Sequence, residues 1–246
     1  MKAAIRFDRV SKSFGSLKVL DQVSFEVPRG HTFCVLGRSG TGKSVLVKHL
    51  VGLIPPDAGR IFVEEDEITR LGAHELARVR KRMGFLFQYS ALFDSISVEE
   101  NVAFPLRRHT RLSNGDILDR VHQKLKRVGL EGIGHKLPSE ISGGMRKRVG
   151  LARALALEPP VLLADEPSSG LDPVTSREID ELFLDLKHTE GTTMVIVTHN
   201  IPSARRIGDD LAVLHQGRIL AQGSAIELES SGHPMVREFM MSEGGI

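Results

Sequence analysis

A glycine-rich segment in the first fifth of the chain has the residue types and spacing that bind a phosphate chain. It consists of Gly37, Arg38, Ser39, Gly40, Thr41, Gly42, Lys43 and Ser44, which match the pattern G-x-x-x-x-G-K-[ST]. An apolar run (33–36) precedes the segment and a helix-like stretch (45–50) follows it. Glycines allow successive amides to face one anion, and the helix N terminus adds partial positive charge. We therefore expect a nucleotide to bind here, with Lys43 on its β- and γ-phosphates and the Ser44 hydroxyl on Mg²⁺.

Two adjacent carboxylates, Asp165 and Glu166, follow the apolar run 161–164. Carboxylates at the end of a buried strand are costly unless a cation faces them. In a phosphate-binding fold Mg²⁺ is the expected cation, so one carboxylate of the pair would hold the ion and the other would orient or deprotonate the attacking water. The alternative is that the pair begins a solvated loop.

A third segment, Ser142-Gly143-Gly144, stands before a helix-like stretch that opens with Met145-Arg146-Lys147-Arg148. Serine at a helix start caps free amides, and paired glycines let the backbone approach a ligand. The segment is a candidate for a second anion site, although Ser-Gly-Gly also occurs in ordinary loops. The basic run is typical of a solvated helix face.

The elements that position these residues follow from hydrophobic patterning. Three strands are expected to form an antiparallel layer, at 5–10, 23–27 and 60–63. Apolar residues recur at helical spacing in 72–81 and 116–128, which predicts amphipathic helices. The continuous apolar runs 161–164 and 194–197 are typical of parallel strands that are covered on both faces, and a hairpin is expected at 211–221.

The length, charge and apolar content of the chain limit the classes of binding partner that are expected. The chain has 246 residues, with 33 basic and 31 acidic side chains and a net charge of +2. This length fits one α/β domain, and the near balance of charge lacks the basic excess of nucleic-acid-binding domains, so no nucleic-acid partner is expected. No stretch of 18 apolar residues occurs, so neither a membrane span nor an export signal is expected.

Seven motifs in a fixed order resemble the ATP-binding subunits of ABC transporters, from about residue 5 to residue 223. They are Phe14, the loop 37–44, Gln88, Ser142-Gly143-Gly144, Asp165-Glu166, Ser169-Gly170-Leu171-Asp172 and His199. The resemblance implies an α/β fold of the P-loop NTPase class, ABC ATPase type, with a mainly parallel core sheet flanked by helices, an antiparallel β layer and an inserted helical subdomain. It implies a single domain over 1–246, in which 1–87 and 161–223 form the core, 88–160 the helical subdomain and 224–246 a short tail.

The resemblance also assigns the two carboxylates, with Asp165 on Mg²⁺ and Glu166 on the attacking water. It implies roles for three other residues outside the loop. Phe14 would stack on adenine, Gln88 would bind Mg²⁺ and link the site to the helical region, and His199 would touch the γ-phosphate and hold the water of Glu166 in line. Each has an ordinary alternative: a core phenylalanine, an exposed loop glutamine and a structural histidine.

In such proteins Ser142, Gly143 and Gly144 contact the ATP held by a second subunit, and Asp172 lies at the seam. Two nucleotides are then held between two head-to-tail chains. The expected assembly is a homodimer of ATPase subunits on an integral membrane permease, peripheral to the cytoplasmic face of the inner membrane.

Departures from the usual signature narrow the resemblance. The usual signature of the family is Leu-Ser-Gly-Gly-Gln, whereas this chain has Ile141 at the first position and Met145 at the last. Methionine lacks the amide hydrogen bonds of glutamine. Met145, together with 89–95, 100–106 and 172–176, resembles the ATPases of Mla/Mce-type phospholipid transporters. This implies phospholipid trafficking, with a periplasmic or membrane-anchored lipid-binding component as a further partner.

Three other functions stay open at this stage. Importers of amino acids and other small solutes share several of these features. A soluble ABC ATPase of DNA repair or translation generally has two ATPase units, whereas this chain has one glycine loop. A small-molecule kinase with the same loop has no use for Ser142 or His199.

Overall fold

The computed structural model describes residues 3–242 and divides them between two sheets and the surrounding helices. The strands are β1 (Ala3–Phe14), β2 (Leu17–Pro28), β3 (Thr32–Leu36), β4 (Ala58–Val63), β5 (Asp66–Glu67), β6 (Met83–Leu86), β7 (Val161–Asp165), β8 (Thr193–Thr198), β9 (Asp210–His215) and β10 (Arg218–Gly223). The α-helices are α1 (Lys43–Leu50), α2 (Ala73–Arg80), α3 (Val98–His109), α4 (Asn114–Arg127), α5 (Gly143–Ala154), α6 (Pro173–Glu190), α7 (Ile201–Ile207), α8 (Ala225–Glu229) and α9 (Pro234–Met241).

The larger sheet has the strand order β10-β9-β3-β8-β7-β6. Its neighbours from β9 to β6 run parallel, and β10 closes the edge as an antiparallel hairpin with β9. Every residue of β3, β7 and β8 is buried, because apolar clusters cover both faces of the sheet. In β3, for example, Phe33 and Val35 join one cluster while Cys34 and Leu36 join the other. The expected mainly parallel core sheet is confirmed.

The smaller sheet, of order β2-β1-β4-β5, is the expected antiparallel layer. A stack of three rings packs it on the larger sheet: Phe25 lies 4.6 Å from Phe7 and 4.7 Å from Phe33, measured between ring centroids. β1 and β2 are longer than the apolar pattern predicts, because register shifts carry the pairing past polar residues as far as Phe14 and Leu17. The longer hairpin reaches the glycine loop.

Helices α3, α4 and α5 lie between β6 and β7 in the sequence and pack on one another. Their apolar residues share one cluster with Leu86 of β6 and Leu162 of β7, so the helical region is continuous with the core. α4 begins two residues before the predicted helix because Ser113 caps it: the Ser113 hydroxyl accepts a hydrogen bond from the Asp116 amide. Among residues 3–242, no helix is both long and apolar enough to cross a bilayer.

Candidate functional site

The glycine loop connects β3 to α1 at the carboxyl end of the parallel sheet. Close contacts explain its first and last glycines: a Cβ on Gly37 would lie 2.6 Å from the Leu214 carbonyl oxygen, and one on Gly42 would lie 2.9 Å from that of Val19. Gly42 caps α1 with φ 100°, a left-handed conformation that favours glycine. The residues between them, Arg38, Ser39 and Gly40, are exposed, and Thr41 is half-buried.

Lys43, the first residue of α1, is buried and points back into the loop. Its Nζ donates hydrogen bonds to the carbonyl oxygens of Gly37 at 2.7 Å and Arg38 at 3.1 Å. The same Nζ lies 3.2 Å from Oε1 of Glu166. The loop therefore holds a cation at its centre, directly opposite one of the two predicted carboxylates.

Asp165 ends β7 and faces the start of α1. The Ser44 hydroxyl donates a hydrogen bond to Oδ1 of Asp165 at 3.0 Å. Burial raises the pKa of Asp165, and the nearby Glu166 charge adds to the effect, while the Ser44 hydrogen bond opposes it. A hydroxyl and a carboxylate thus lie side by side next to the loop.

Glu166 is buried in the left-handed backbone region, with φ 48°. Its Oε2 accepts hydrogen bonds from the Thr198 hydroxyl at 3.1 Å, the His199 amide at 3.2 Å and the His199 Nδ1 at 2.9 Å. Because an ionised carboxylate only accepts, Nδ1 carries a proton and Nε2 is the nitrogen left for another contact. The His199 side chain is 48% exposed, so this nitrogen can meet a ligand.

Gln88 follows β6 and lies next to the carboxylates. Strand β6 pairs with β7, with Leu86 opposite Ala164, so Gln88 and Glu166 both follow that pair by two residues. Lys147 confirms their proximity, because its Nζ donates both to the Gln88 carbonyl and, at 3.0 Å, to the Glu166 carbonyl.

The sequence analysis does not predict that Lys147 is buried next to the site. Its place in a basic run predicts a solvated side chain, yet it is only 5% exposed. Its spacing along α5 could have indicated its burial, because Lys147 lies on the same helical face as the buried Gly144 and Leu151.

Phe14 lies at the tip of the β1–β2 hairpin, not in the core. Its ring is 47% exposed, and Lys12 Nζ lies 5.5 Å from the ring centroid. The same hairpin places Val19 against Gly42. An exposed ring beside the glycine loop is free to stack on a flat ligand.

Ser142 and Asp172 are exposed N-caps of α5 and α6. The Ser142 hydroxyl accepts from the Met145 amide at 3.2 Å, and the Asp172 carboxylate accepts from Val174 and Thr175. The Thr175 hydrogen bonds hold the pKa of Asp172 below its usual value. These bonds stay within the helix starts, so the two side chains cap the backbone of their own helices.

Gly144 joins the two helix starts. A Cβ on Gly144 would lie 2.6 Å from Cγ2 of Thr175, so α5 and α6 approach closely at this point. Gly143, one residue earlier, is exposed and its nearest neighbour would be 3.8 Å away. Ser142, Gly143 and Asp172 therefore form one exposed surface at a pair of helix N termini, where anions are favoured.

Comparison with known proteins shows the family of this chain. The family described as ABC transporter matches residues 20–169. The chain is 44% identical, over 98% of its length and 69% of the relative's, to the "probable ribonucleotide transport ATP-binding protein mkl" of Mycobacterium leprae. It is 41% identical, over 94% of its length and 86% of the relative's, to the "intermembrane phospholipid transport system ATP-binding protein MlaF" of Escherichia coli.

Comparison with solved structures indicates the same family. A dimeric ATP-binding cassette bound to ADP and phosphate aligns with a TM-score of 0.84 and 31% identity, over 89% of this chain and 98% of that one. The cassette cbiO1 of Clostridium perfringens aligns with a TM-score of 0.83 and 27% identity, over 98% of this chain and 100% of that one. By sequence and by fold, this chain belongs to the ABC transporter family, as an ATP-binding subunit that hydrolyses ATP.

Proposed function

We propose that the chain binds Mg-ATP between the loop 37–44 and the carboxylates after β7, and hydrolyses it in a head-to-tail homodimer that drives a membrane permease. The observation that carries the proposal is the cluster of Lys43, Ser44, Asp165 and Glu166. The parallel strands bring the Lys43 ammonium into contact with the Glu166 carboxylate, and the Ser44 hydroxyl into contact with the Asp165 carboxylate. Phosphoryl transfer depends mainly on such positioned charges.

The residues beside the loop fit Mg²⁺. This ion prefers oxygen ligands and keeps several waters, and the Ser44 hydroxyl and Asp165 carboxylate provide two oxygens 3.0 Å apart. Gln88 follows the neighbouring strand and would supply a third. When bound, Mg²⁺ would neutralise developing charge on the phosphates. Burial raises the pKa of Asp165, which makes this carboxylate costly to ionise without a cation.

Glu166 is the proposed general base. Three hydrogen bonds fix its Oε2, so the carboxylate has one orientation. Lys43 contacts its Oε1. In the proposed complex Lys43 turns to the β- and γ-phosphates, and Oε1 is then available to accept a proton from the attacking water. His199 would hold that water in line through Nε2, and Phe14 would stack on adenine.

Ser142, Gly143, Gly144 and Asp172 are proposed to complete the site of the partner chain. Ser142, Gly143 and Asp172 are exposed and lie at helix N termini that favour a phosphate. The buried Gly144 sets the close approach of α5 and α6. Because a two-fold axis repeats every contact, the surface at Ser142 meets the partner's glycine loop while the equivalent surface of the partner meets this chain's loop, and both sites form together.

A groove of about 550 Å³ beside Gln88 is the proposed seat of the permease. Its lining includes Phe85, Phe87, Ala91, Phe93, Phe104 and Pro105. The rings of Phe93 and Phe104 are exposed and lie 4.9 Å apart. Lys81 and Arg108 flank His109, and burial together with their charges lowers the pKa of His109. An apolar floor with a basic rim suits a short membrane-subunit helix that carries an acidic residue.

The groove is tested by the variant Phe93→Asp. We expect it to keep ATP binding and lose copurification with the membrane subunit, because a charge on the groove floor opposes an apolar helix. Ile226→Asp is the matched control, since Ile226 is equally apolar, exposed and outside the groove. Loss of the membrane subunit from both variants, or from neither, would remove the groove from this role.

Phospholipid trafficking at the cytoplasmic face of the inner membrane is the proposed transport function. It is supported by the name of the Escherichia coli relative, "intermembrane phospholipid transport system ATP-binding protein MlaF". The name of an Arabidopsis thaliana relative, 39% identical, "protein trigalactosyldiacylglycerol 3, chloroplastic", contains a galactolipid and supports a lipid cargo in general. A periplasmic or membrane-anchored lipid-binding component would then be a further partner. Ribonucleotide transport is the second candidate, from the name of the Mycobacterium relatives.

One experiment separates these two candidates. The chain is purified with its membrane subunit in mild detergent, and bound small molecules are identified by mass spectrometry. Phospholipid enriched above the level in an unrelated membrane protein supports the lipid function. Enriched ribonucleotide other than ATP and ADP, with no enriched lipid, supports the second candidate and contradicts the first.

A further inference from the structure

One face of α5 holds the segment that follows β6. Three residues spaced at intervals of three, Lys147, Gly150 and Arg153, all contact it. Arg153 donates hydrogen bonds to the carbonyl oxygens of Ser90 at 2.6 Å and Ala91 at 2.7 Å. The segment 88–91 is therefore attached to a helix whose N terminus carries Ser142.

The segment depends on these contacts because its own conformation is unfavourable. Ser90 and Ala91 both adopt left-handed backbone angles, with φ 61° and 47°, which side chains with a Cβ rarely occupy. Gly150 allows a close approach, since a Cβ there would lie 3.1 Å from Cβ of Ser90. Such strain persists only where surrounding contacts over-determine it.

Lys147 makes the contact that reaches beyond the segment. Its Nζ donates to the Gln88 carbonyl and to the Glu166 carbonyl, the latter at 3.0 Å. Burial lowers the pKa of Lys147, and the charges of Glu166 and Asp165 oppose this effect. The buried Lys147 amine thus links three parts of the molecule: the backbone of Glu166, the backbone of the segment 88–91, and helix α5, which begins after Ser142.

We propose that Lys147 is a positioning residue for ATP hydrolysis, which ties Glu166 and the segment 88–91 to helix α5. This rests on the proposed role of Glu166 as general base. Movement of α5, when Ser142 meets the partner's ATP, then moves Glu166 and Gln88 together. Lys147 contacts no reacting atom in this scheme, and its effect passes through the two carbonyls.

The test compares two substitutions of equal length. Lys147→Met and Lys147→Gln each place their last atom one bond short of Nζ, but only glutamine donates hydrogen bonds. We expect Lys147→Met to lower kcat about 10- to 100-fold, the cost of a small misplacement, with KM for ATP close to wild type. Lys147→Gln should recover most of kcat. Turnover is measured on the full chain at concentrations that saturate dimer formation.

Lys124→Met is the matched control. Lys124 is also a buried lysine of the helical region, and its Nζ lies 3.0 Å from Oε1 of Glu158, away from the site. Its kcat should equal that of wild type. If Lys147→Met keeps wild-type kcat, or if Lys147→Gln loses as much as Lys147→Met, hydrogen bonding by residue 147 does not position the base and the proposal is wrong.

Hydrogen exchange gives a readout that is independent of turnover. Lys147→Met should accelerate amide exchange in 86–91 and at Glu166 while leaving β3 unchanged, and Lys124→Met should alter neither. Unchanged exchange at these positions overturns the proposal even if kcat falls. Failure of the proposed function is distinguished by Glu166→Gln: if that variant hydrolyses ATP at the wild-type rate, the general base itself is wrongly assigned.

Discussion

Lys43 and Glu166 form a buried ion pair, with Nζ of the lysine 3.2 Å from Oε1 of the glutamate. The two residues are far apart in sequence and meet because β3 and β7 are both neighbours of β8. Val197 of β8 lies opposite Val35 on one side and Asp165 on the other. Parallel strands end at the same edge of the sheet, so the residues that follow β3 and β7 converge.

Lys43→Ala should abolish ATP turnover. The substitution removes the ammonium that stabilises charge on the β- and γ-phosphates and leaves Glu166 without its cation, so kcat should fall at least about 10²-fold. Lys48→Ala is the control, because Lys48 is exposed on the same helix. Near-normal hydrolysis by Lys43→Ala would contradict the site assignment.

Glu166→Gln should bind Mg-ATP but hydrolyse it about 10²- to 10⁴-fold more slowly, because the amide keeps the side chain's size without its basicity. Binding without hydrolysis favours the closed dimer, by roughly 2.7 kcal/mol per site at a hundred times the dissociation constant. Size-exclusion chromatography should show a dimer with ATP but not with ADP. A monomer under both conditions, together with wild-type turnover, would rule out this mechanism.

Ser142→Arg should leave ATP binding to the isolated chain intact and stop hydrolysis, because the altered surface is proposed to complete the partner's site. Mixing this variant with Lys43→Ala provides the sharper measurement. A mixed dimer has one site with both lesions and one site with neither, so activity should reappear that neither variant has alone. If mixing restores nothing, the two residues act in the site of the same chain.

Gly144→Ala should lower the free energy of unfolding by about 1 to 3 kcal/mol, because its Cβ would overlap the β-branched Thr175 side chain. Gly143→Ala, on the same helix start, has open space and should be neutral or slightly stabilising. Urea unfolding of the two variants gives the comparison. If the two variants have equal free energies of unfolding, α5 and α6 can move apart without a loss of stability, and the prediction is wrong.

Asp180→Asn should stabilise the chain more at about pH 7 than at about pH 4. Burial raises the pKa of Asp180 above its usual 3.8, the Ser203 hydrogen bond and the Arg206 charge oppose this, and Glu181 adds to it. The folded chain therefore holds this proton more tightly than the unfolded chain. The stability this provides is complete below pH 3.8 and is lost as the pH rises through the folded pKa.

Thermal unfolding at both pH values measures this difference. Asp119→Asn is the control for the change in charge, since Asp119 is exposed on α4. A gain in Tm for Asp180→Asn that is equal at the two pH values would contradict an effect of ionisation.

Features that depend on neighbouring residues could be predicted from the amino-acid sequence. Local spacing identified the loop 37–44, the strand before Asp165 and the helix that α4 forms, because backbone conformation and capping are decided within a few residues. The order of motifs was sufficient to indicate the ABC family. Site residues such as Ser142 and His199 could be named in the same way, although their roles stay predictions.

Contacts between residues that are distant in the chain could not be predicted and depend on how the elements pack. Lys147 reads in sequence as one of three basic residues on a solvated helix, and its burial against the carbonyls of Gln88 and Glu166 depends on how α5 packs on β6. The resemblance implied a Phe14 ring that can stack on a ligand, but the register shifts that extend the strand pairing to Phe14, at an exposed hairpin tip, appear only in the structure. Burial and long-range contact arise from packing among elements distant in the chain, and no local pattern contains that information.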